Sequence, residues 1–362
     1  MTAPASARSV DVVVPCYNYA RFLKRCVESA LNQPRVDVRV LIIDDCSSDD
    51  TPAVGAELAR DPRVEFRRHA QNMRHIATYN EGLIGWAKAQ YSLLLSADDW
   101  LAPEALTRAV DLLEAHPEAT FVCGYAMIVE DQPPAESIPK LDGKWCILSG
   151  EQYTDECVRS ANPVSTPTAV VRTAIQQSVG GYRPELPHSG DMEMWMKFAA
   201  RGPIGVIRDV QAFYRWHGAN MGRAQYNSLL GDLREQEAAC EQPLALWPEP
   251  RRGEWTRQLR RRLGQEAFWA ANRAFAAGDL AGCDDCLRYA LEHDDSLAGS
   301  KRLLHLKVKR MLGSRAWNGI KLLADKARGV KTASGGEYFN VGKLTGWGPA
   351  DASAWRAPSK NA

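Results

Sequence analysis

Val10-Asp11-Val12-Val13-Val14 closes on Pro15-Cys16-Tyr17-Asn18, and Val38-Arg39-Val40-Leu41-Ile42-Ile43 closes on Asp44-Asp45-Cys46-Ser47. Both are short β-branched runs ending in polar residues, the pattern of strands in a sheet covered on both faces. Between them, Tyr19 to Asn32 carries Phe22, Leu23, Cys26, Val27, Ala30 and Leu31 at the spacing of one helical face. Strand, amphipathic helix, strand predicts a βαβ unit in an α/β fold with a mostly parallel sheet, the first strand stopped by Pro15.

The alternation continues outward. Ser47 to Pro52 supplies capping residues for a helix over Val54 to Arg60, Val64 to Arg67 reads as a strand, and Ile76 to Ala89 as a helix. Tyr91 to Ser96 is a fourth strand ending at Asp98-Asp99, followed by a helix over Pro103 to His116 and a strand over Thr120 to Val129. Beyond the Pro-rich excursion Gln132 to Lys140 come a strand over Pro167 to Arg172, a turn at Gly180-Gly181-Tyr182 and a helix over Asp191 to Ala200. Short strands at Val206-Ile207 and Ala212 to Tyr214 follow. Acidic and polar residues thus recur just after strand ends, where ligands gather in open α/β sheets.

The 362 residues suffice for two or three domains of ~100 to 200 residues each. A chain 45% hydrophobic and 25% charged is an ordinary globular protein, not a disordered or fibrous one. Its net charge of +1 supplies no general attraction for nucleic acid, so no nucleic-acid partner is expected. No apolar run approaches the ~20 residues of a membrane span. Residues 1–9 lack the apolar stretch of a secretory leader, which predicts a mobile tail and a cytoplasmic protein. The nine cysteines are scattered and odd in number, hence expected to be reduced. Cys283 and Cys286 have the spacing of a metal or redox pair, but no second pair completes a tetrahedral site, and packing on a helix explains them equally.

The texture changes near residue 226: before it lies the α/β domain, 10–225, and after it a helical domain, 226–332. Phe268 to Leu291 reads as two antiparallel helices joined at Gly278-Asp279. Lys301 to Lys331 is strongly basic, with Asp325 its one acid, and interleaves Leu303, Leu304, Leu306, Val308, Met311, Leu312, Trp317, Ile320 and Leu322. This amphipathic segment suits either peripheral contact with an anionic membrane surface or a solvated basic face packed on the protein. The stretch 333–362, rich in Gly, Ser, Pro and Ala, is expected to be loosely ordered.

Adjacent carboxylates after a buried strand, as at Asp98-Asp99, are costly without a counter-charge. A divalent cation on a diphosphate supplies one, since Mg²⁺ and Mn²⁺ take one or two carboxylates and fill the rest with phosphate and water oxygens. The plain alternative is that one of them caps the helix near Pro103. Tyr17 offers a face on which a base can stack, and Asp45 an acceptor for a ring N–H.

Taken together, Pro15-x-Tyr17-Asn18, Asp44-Asp45-x-Ser47-x-Asp49, Asn72-x7-Asn80-x-Gly82 and Ala97-Asp98-Asp99 resemble the family 2 glycosyltransferases, inverting enzymes of the GT-A fold. The resemblance runs over residues 8 to 222. It implies a donor site from Pro15, Tyr17, Asn18, Asp45, Asn72, Arg74, Asn80 and Asp98, and metal ligation by Asp99. Gly180-Gly181-Tyr182 followed by Gly190-Asp191-Met192-Glu193-Met194-Trp195 resembles the segment carrying the catalytic base, which by that match is Asp191, with Glu193 as the runner-up. Met194, Trp195 and Phe198 give this helix a buried face and leave Asp191 near its positive end, although plain N-capping would also put it there. Arg215-Trp216-His217 resembles the family's tail motif, implying His217 as a ligand to metal or diphosphate.

Three positions depart from the family pattern. Arg74 stands where Gly is common, Tyr79 where Arg is common, and Gly190 where an acid often precedes the base. Either Arg74 reaches the diphosphate or His75 contacts a substrate. The resemblance implies an EC 2.4 transferase moving a sugar from a nucleotide-sugar donor, UDP-linked by expectation, to a saccharide or lipid-linked glycan, with Mg²⁺ or Mn²⁺. A silent sugar-nucleotide-binding scaffold acting through its helical part is the rival reading.

Overall fold

The computed structural model describes residues 8–131, 133, 137–218, 220, 229–327, 343–346, 348 and 352–357. The expected tail over 1–9 lies mostly outside the described residues, as do most of 132–136, all of 221–228 with the expected boundary near 226, and all of 328–342. The chain divides into two compact units, residues 1–220 with 339–362, and residues 221–338.

In the first unit, β1 (Ser9–Cys16) runs parallel between β2 (Asp37–Asp44) and β4 (Tyr91–Leu94), and β3 (Val64–Arg68) adds beyond β2. Val10, Val12, Val13 and Val14 are wholly buried, as a strand covered on both faces requires. Helix α1 (Ala20–Leu31) buries Leu23, Cys26, Val27 and Ala30 of the six residues its spacing marked, while Phe22 and Leu31 are half-buried. Helix α2 spans Thr51–Leu58. Pro15 does not stop β1. It pairs with Ile43 and the strand continues to Cys16, because near a strand end the missing N–H removes little.

The helix expected over Ile76 to Ala89 is two pieces, α3 (Arg74–Asn80) and a π-helical turn over Glu81–Trp86. Gly82 explains the close packing there: a Cβ at this position would come within 2.2 Å of Val13 Cγ1, so the turn lies directly on β1. The last residue of the Asn80-x-Gly82 motif is therefore a packing requirement.

After β5 (Trp100–Leu101) and α4 (Ala105–Ala115), the sheet is extended by β6 (Phe121–Val129), β7 (Trp145–Leu148), β8 (Val170–Arg172) and β9 (Ile204–Arg215). The order is β3-β2-β1-β4-β8-β6-β9-β5. Parallel pairing holds for β1 to β4 and for β6 with β9, but β8 is antiparallel to both its neighbours, so the sheet is mixed. The two short strands expected at 206–207 and 212–214 are one strand, β9, whose register against β6 slips around Tyr125. That irregularity carries the polar Arg208 and Asp209, which break the apolar pattern without ending the strand.

Helices α5 (Gly150–Ser160), α6 (Thr173–Val179) and α7 (Gly190–Ala199) complete the unit. Sequence reading passed over β7, α5 and α6, although α5 announces itself by a reciprocal capping box between Ser149 and Gln152. The C-terminal stretch is not loose throughout. Leu344–Thr345 forms β10, pairing with Met127 and Ala126, and Arg356 bridges to Trp145. The reason is an open edge: β8 covers only Phe121 and Val122 of β6, leaving backbone groups farther along to be satisfied.

The second unit is helical: α8 (Leu229–Ala245), α9 (Arg251–Ala277), α10 (Leu280–His293), α11 (Lys301–Leu312) and α12 (Ser314–Ala327). The expected turn at Gly278-Asp279 is present, with Gly278 in the left-handed region (φ +85°) and Asp279 accepting from the Gly282 N–H at 2.8 Å. Cys283 and Cys286 are buried free thiols, and no cluster of three metal-ligating side chains forms among the described residues. No helix among the described residues is long and apolar enough to cross a membrane.

Candidate active site

The ends of β1 and β2 are stitched together by short polar side chains. Asn18 takes a left-handed backbone (φ 59°), its N–H donates to Ser47 Oγ at 2.9 Å, and its Oδ1 accepts from the Ser48 N–H at 2.8 Å. Asp44 accepts from the Ser47 N–H at 2.8 Å. Asn18 thus holds the two loops in register, leaving Tyr17, 49% exposed, as the open aromatic face beside them.

Asp45 is buried at the end of this cleft. Its Oδ1 accepts from the Met73 N–H at 2.7 Å and lies 2.8 Å from His69 Nδ1, while Oδ2 makes no protein hydrogen bond among the described residues. His69 reaches Glu81 with its other nitrogen at 2.8 Å. Burial opposes a charge on His69, but the hydrogen bonds and charges of Asp45 and Glu81 outweigh it and raise its pKa. A groove lined by His69, Ala70, Gln71, Met73, Ala77 and Glu81 opens here. Sequence reading missed His69, which stands alone in the chain with no motif around it.

Asn72 and Asn80, expected at the donor, both bond to the protein, Asn80 with both ends of its amide. Asn72 Oδ1 accepts from the Arg74 N–H at 3.0 Å. Asn80 donates to the Tyr182 carbonyl at 2.8 Å and accepts from the Tyr182 N–H at 2.7 Å, clamping α3 to the segment before Asp191. Gly181 is required for that clamp, since a Cβ there would fall 2.5 Å from Asn80 Oδ1.

Arg74 has φ 67°, the left-handed region that favours glycine, which accounts for the glycine common at this position in the family it resembles. Arg74→Gly is expected to leave stability unchanged or raise it by up to about 1 kcal/mol, since relief of strain is offset by a more flexible unfolded chain. Thermal melting checks the first effect, and a simultaneous loss of donor affinity by calorimetry would locate the guanidinium at the diphosphate.

Asp98 and Asp99 do not cap α4, whose N-cap residue is Glu104. Asp99 Oδ1 accepts from the Arg215 N–H at 2.9 Å. Burial and the neighbouring charge of Asp98 push the Asp99 carboxyl well above the usual range. Asp98 Oδ2 lies 3.1 Å from His217 Nε2, and the Arg215 guanidinium donates to the Asp98 carbonyl at 2.9 Å. His217 therefore meets Asp98, where the resemblance had set it beside Asp99 as the second metal ligand. Carboxylates and an imidazole are ligand types that suit Mg²⁺ or Mn²⁺ on a diphosphate, but Asp98, Asp99 and His217 do not gather into a three-ligand metal cluster among the described residues.

Asp191 is the second residue of α7. Oδ1 accepts from the Met192 N–H at 2.7 Å, and Oδ2 accepts from Asn162 Nδ2 at 2.9 Å and Thr166 Oγ1 at 3.1 Å. The residue keeps a partly exposed edge, yet burial of its carboxyl pushes the pKa up to about 6 against these hydrogen bonds. The N-cap position belongs to Ser189, so capping is not the role of Asp191. Glu193 is wholly buried between Arg183 at 2.9 Å and Lys197 at 3.3 Å, which removes it as a candidate base because it cannot reach a substrate. Gly190 packs on Tyr182, whose ring would lie 3.2 Å from a Cβ, leaving little room for the acid found there in many relatives.

Tyr79 joins the two acidic centres. Its ring stands 5.3 Å from His75 and 5.5 Å from Tyr182, and burial raises the pKa of its phenol, with the charges of Asp191, Asp98 and Asp99 adding to the rise. His75 itself is tied to the Pro187 carbonyl at 2.9 Å. Strand-end loops far apart in the chain thus converge on one polar cleft.

Residues 11–158 match the family described as Glycosyl transferase family 2. Over that stretch the chain is similar to this family. It is 28% identical to chondroitin synthase of Escherichia coli over 212 residues, 58% of this chain and 29% of that one. It is 38% identical to the succinoglycan biosynthesis protein ExoO of Rhizobium meliloti over 117 residues, 32% of this chain and 33% of that one. The chain thus spans about a third of the length of these relatives. Among solved structures, S. aureus TarS 1-349 in complex with UDP-GlcNAc aligns over 90% of this chain and 93% of that one, with a TM-score of 0.62 at 16% identity, a likeness of fold. The family match ends before Asp191 and His217, so their reading rests on geometry.

Asn162 and Thr166 are residues that sequence reading missed, because nothing links them to Asp191 except the fold. Both donate to the carboxylate and thereby favour its charged form. Asn162→Ala and Thr166→Val are each expected to raise the Asp191 pKa above about 6, moving the acidic limb of a pH–rate profile to higher pH. Profiles of the two variants against the parent check the direction.

Proposed function

We propose that the chain transfers a sugar from a nucleoside-diphosphate sugar, UDP-linked, to a hydroxyl of a saccharide or lipid-linked glycan, with inversion at the anomeric carbon. The observation that carries this reading is the convergence about Tyr79 of a carboxylate tuned to about pH 6, Asp191, with the Asp98–Asp99–His217 group. A general base needs a pKa near working pH, and a leaving diphosphate needs a cation in reach, which carboxylates can hold.

The free Oδ2 of Asp45 accepts the ring N–H of the base, and the Tyr17 face covers it. Asp191 takes the proton of the acceptor hydroxyl as that oxygen forms a bond to the anomeric carbon. The bond from that carbon to the diphosphate oxygen breaks, and its electron pair leaves with the diphosphate. Asp98, Asp99 and His217 are the residues that would hold Mg²⁺ or Mn²⁺, which when bound offsets the charge gathering on the leaving group. Polysaccharide or cell-envelope glycan synthesis at the cytoplasmic side is the setting such a donor and acceptor imply.

The test is release of nucleoside diphosphate from a panel of UDP-, GDP- and dTDP-sugars with Mn²⁺ or Mg²⁺, without and with membrane extract as acceptor source. Metal-dependent turnover of one donor, lost in Asp191→Asn and Asp99→Asn, is the expected result. If no donor binds or turns over, the transferase reading fails.

A further inference from the structure

We propose that α11 and the start of α12 form a docking surface for an anionic lipid bilayer. An amphipathic helix in a folded protein needs one apolar face, and α11 has that face: Leu303 and Leu306 are buried within the helical unit. It has a second as well. Leu304, Val308 and Met311, at i, i+4 and i+7, stand on one side with Leu312, and all four are exposed, Leu304 by 62% and Met311 by 87%. Ile320 on α12 is exposed too. Folding of the unit does not use this outer stripe, and large apolar side chains gathered on a solvent face mark an interaction site.

The charges beside the stripe select the partner. Lys301 lies three residues before Leu304, and Lys307 lies one turn from both Leu304 and Met311, so the two flank the stripe. Lys301, Arg302, Lys307 and Arg315 are exposed and make no ion pair among the described residues, whereas Arg310 on the inner side is paired with Asp284 at 2.5 Å. No acidic residue occurs from Lys301 to Ala324. Unpaired cations around protruding aliphatic groups match a surface that is anionic at the headgroups and apolar just beneath, with the lysine stems reaching up to the phosphates. A second copy of the same patch would set cation against cation, and nucleic acid would leave the aliphatic stripe in water.

The surface stands independently of donor chemistry, so its test needs no donor. The full chain is sedimented with vesicles of phosphatidylcholine alone and of phosphatidylcholine with about one third phosphatidylglycerol. Binding to the anionic vesicles and not the neutral ones is expected. The Leu304→Glu/Met311→Glu variant and the Lys301→Gln/Arg302→Gln/Lys307→Gln/Arg315→Gln variant should each bind at least about tenfold more weakly. All six side chains are exposed, and an unchanged melting temperature verifies that the variants fold. Failure to bind either vesicle, equal binding to both, or variants that bind like the parent would overturn the proposal. So would a concentration-dependent dimer, seen by light scattering, that the Leu304→Glu/Met311→Glu variant abolishes.

Discussion

Asp191→Asn is expected to lower turnover by about 10³-fold while leaving donor affinity nearly unchanged, since only the transition state draws on a base. The parent enzyme should lose activity as pH falls through about 6, where Asp191 takes up its proton. The variant's residual rate should show no such limb. Stability carries an independent signature. The folded pKa of Asp191 is raised from 3.8 to about 6, so the ionised carboxylate is less favourable in the folded chain than in the unfolded one. Below about pH 4 both states are protonated and nothing is lost. As pH rises through about 6 the parent gives up at most about 3 kcal/mol, a loss the neutral amide cannot suffer. The melting temperature of Asp191→Asn relative to the parent should therefore rise between pH 4 and pH 8. A gap that stays constant across that range would show that Asp191 is not held as described.

Asp99→Asn is expected to act in opposite directions on the two properties of the site. The amide oxygen can still accept the Arg215 N–H, and the repulsion between adjacent buried carboxylates is relieved, so the protein without metal should melt at an equal or higher temperature. Donor binding and turnover should nevertheless fall by about 10² or more, because a carboxylate is lost from the set that faces the diphosphate. The decisive readout is the melting temperature with Mn²⁺ and UDP together, which should rise for the parent and not for the variant. If the variant is stabilised as strongly as the parent, Asp99 does not belong to the cation site. Asp98→Asn, which alters the partner of His217, then becomes the variant to compare.

The residues of the candidate site were legible to different degrees, and chemistry explains the division. Carboxylates at strand ends, Asp45, Asp98 and Asp99, and Asp191 at a helix start announce themselves because a charge in an apolar setting needs a reason. The asparagines of the same motifs, Asn18, Asn72 and Asn80, look like ligands from sequence but use their amides to hold loops. A side chain that both donates and accepts serves a backbone as readily as a ligand, and spacing alone does not separate the two. Glu193 and Asp191 are likewise indistinguishable in sequence. The rotation between them along α7 sends one to Arg183 and Lys197 and leaves the other at the cleft.

The βαβ alternation, the buried face of α1, the turn at Gly278 and the family resemblance were all determined by sequence, because local periodicity and short motifs encode them. Tertiary structure decided the rest: the antiparallel insertion of β8, the pairing of β10 with β6, the clamp from Asn80 to Tyr182, and the support of Asp191 by Asn162 and Thr166. Each of these joins segments distant in the chain through an open strand edge or an unsatisfied polar group, and such partners exist only once the sheet has brought them together.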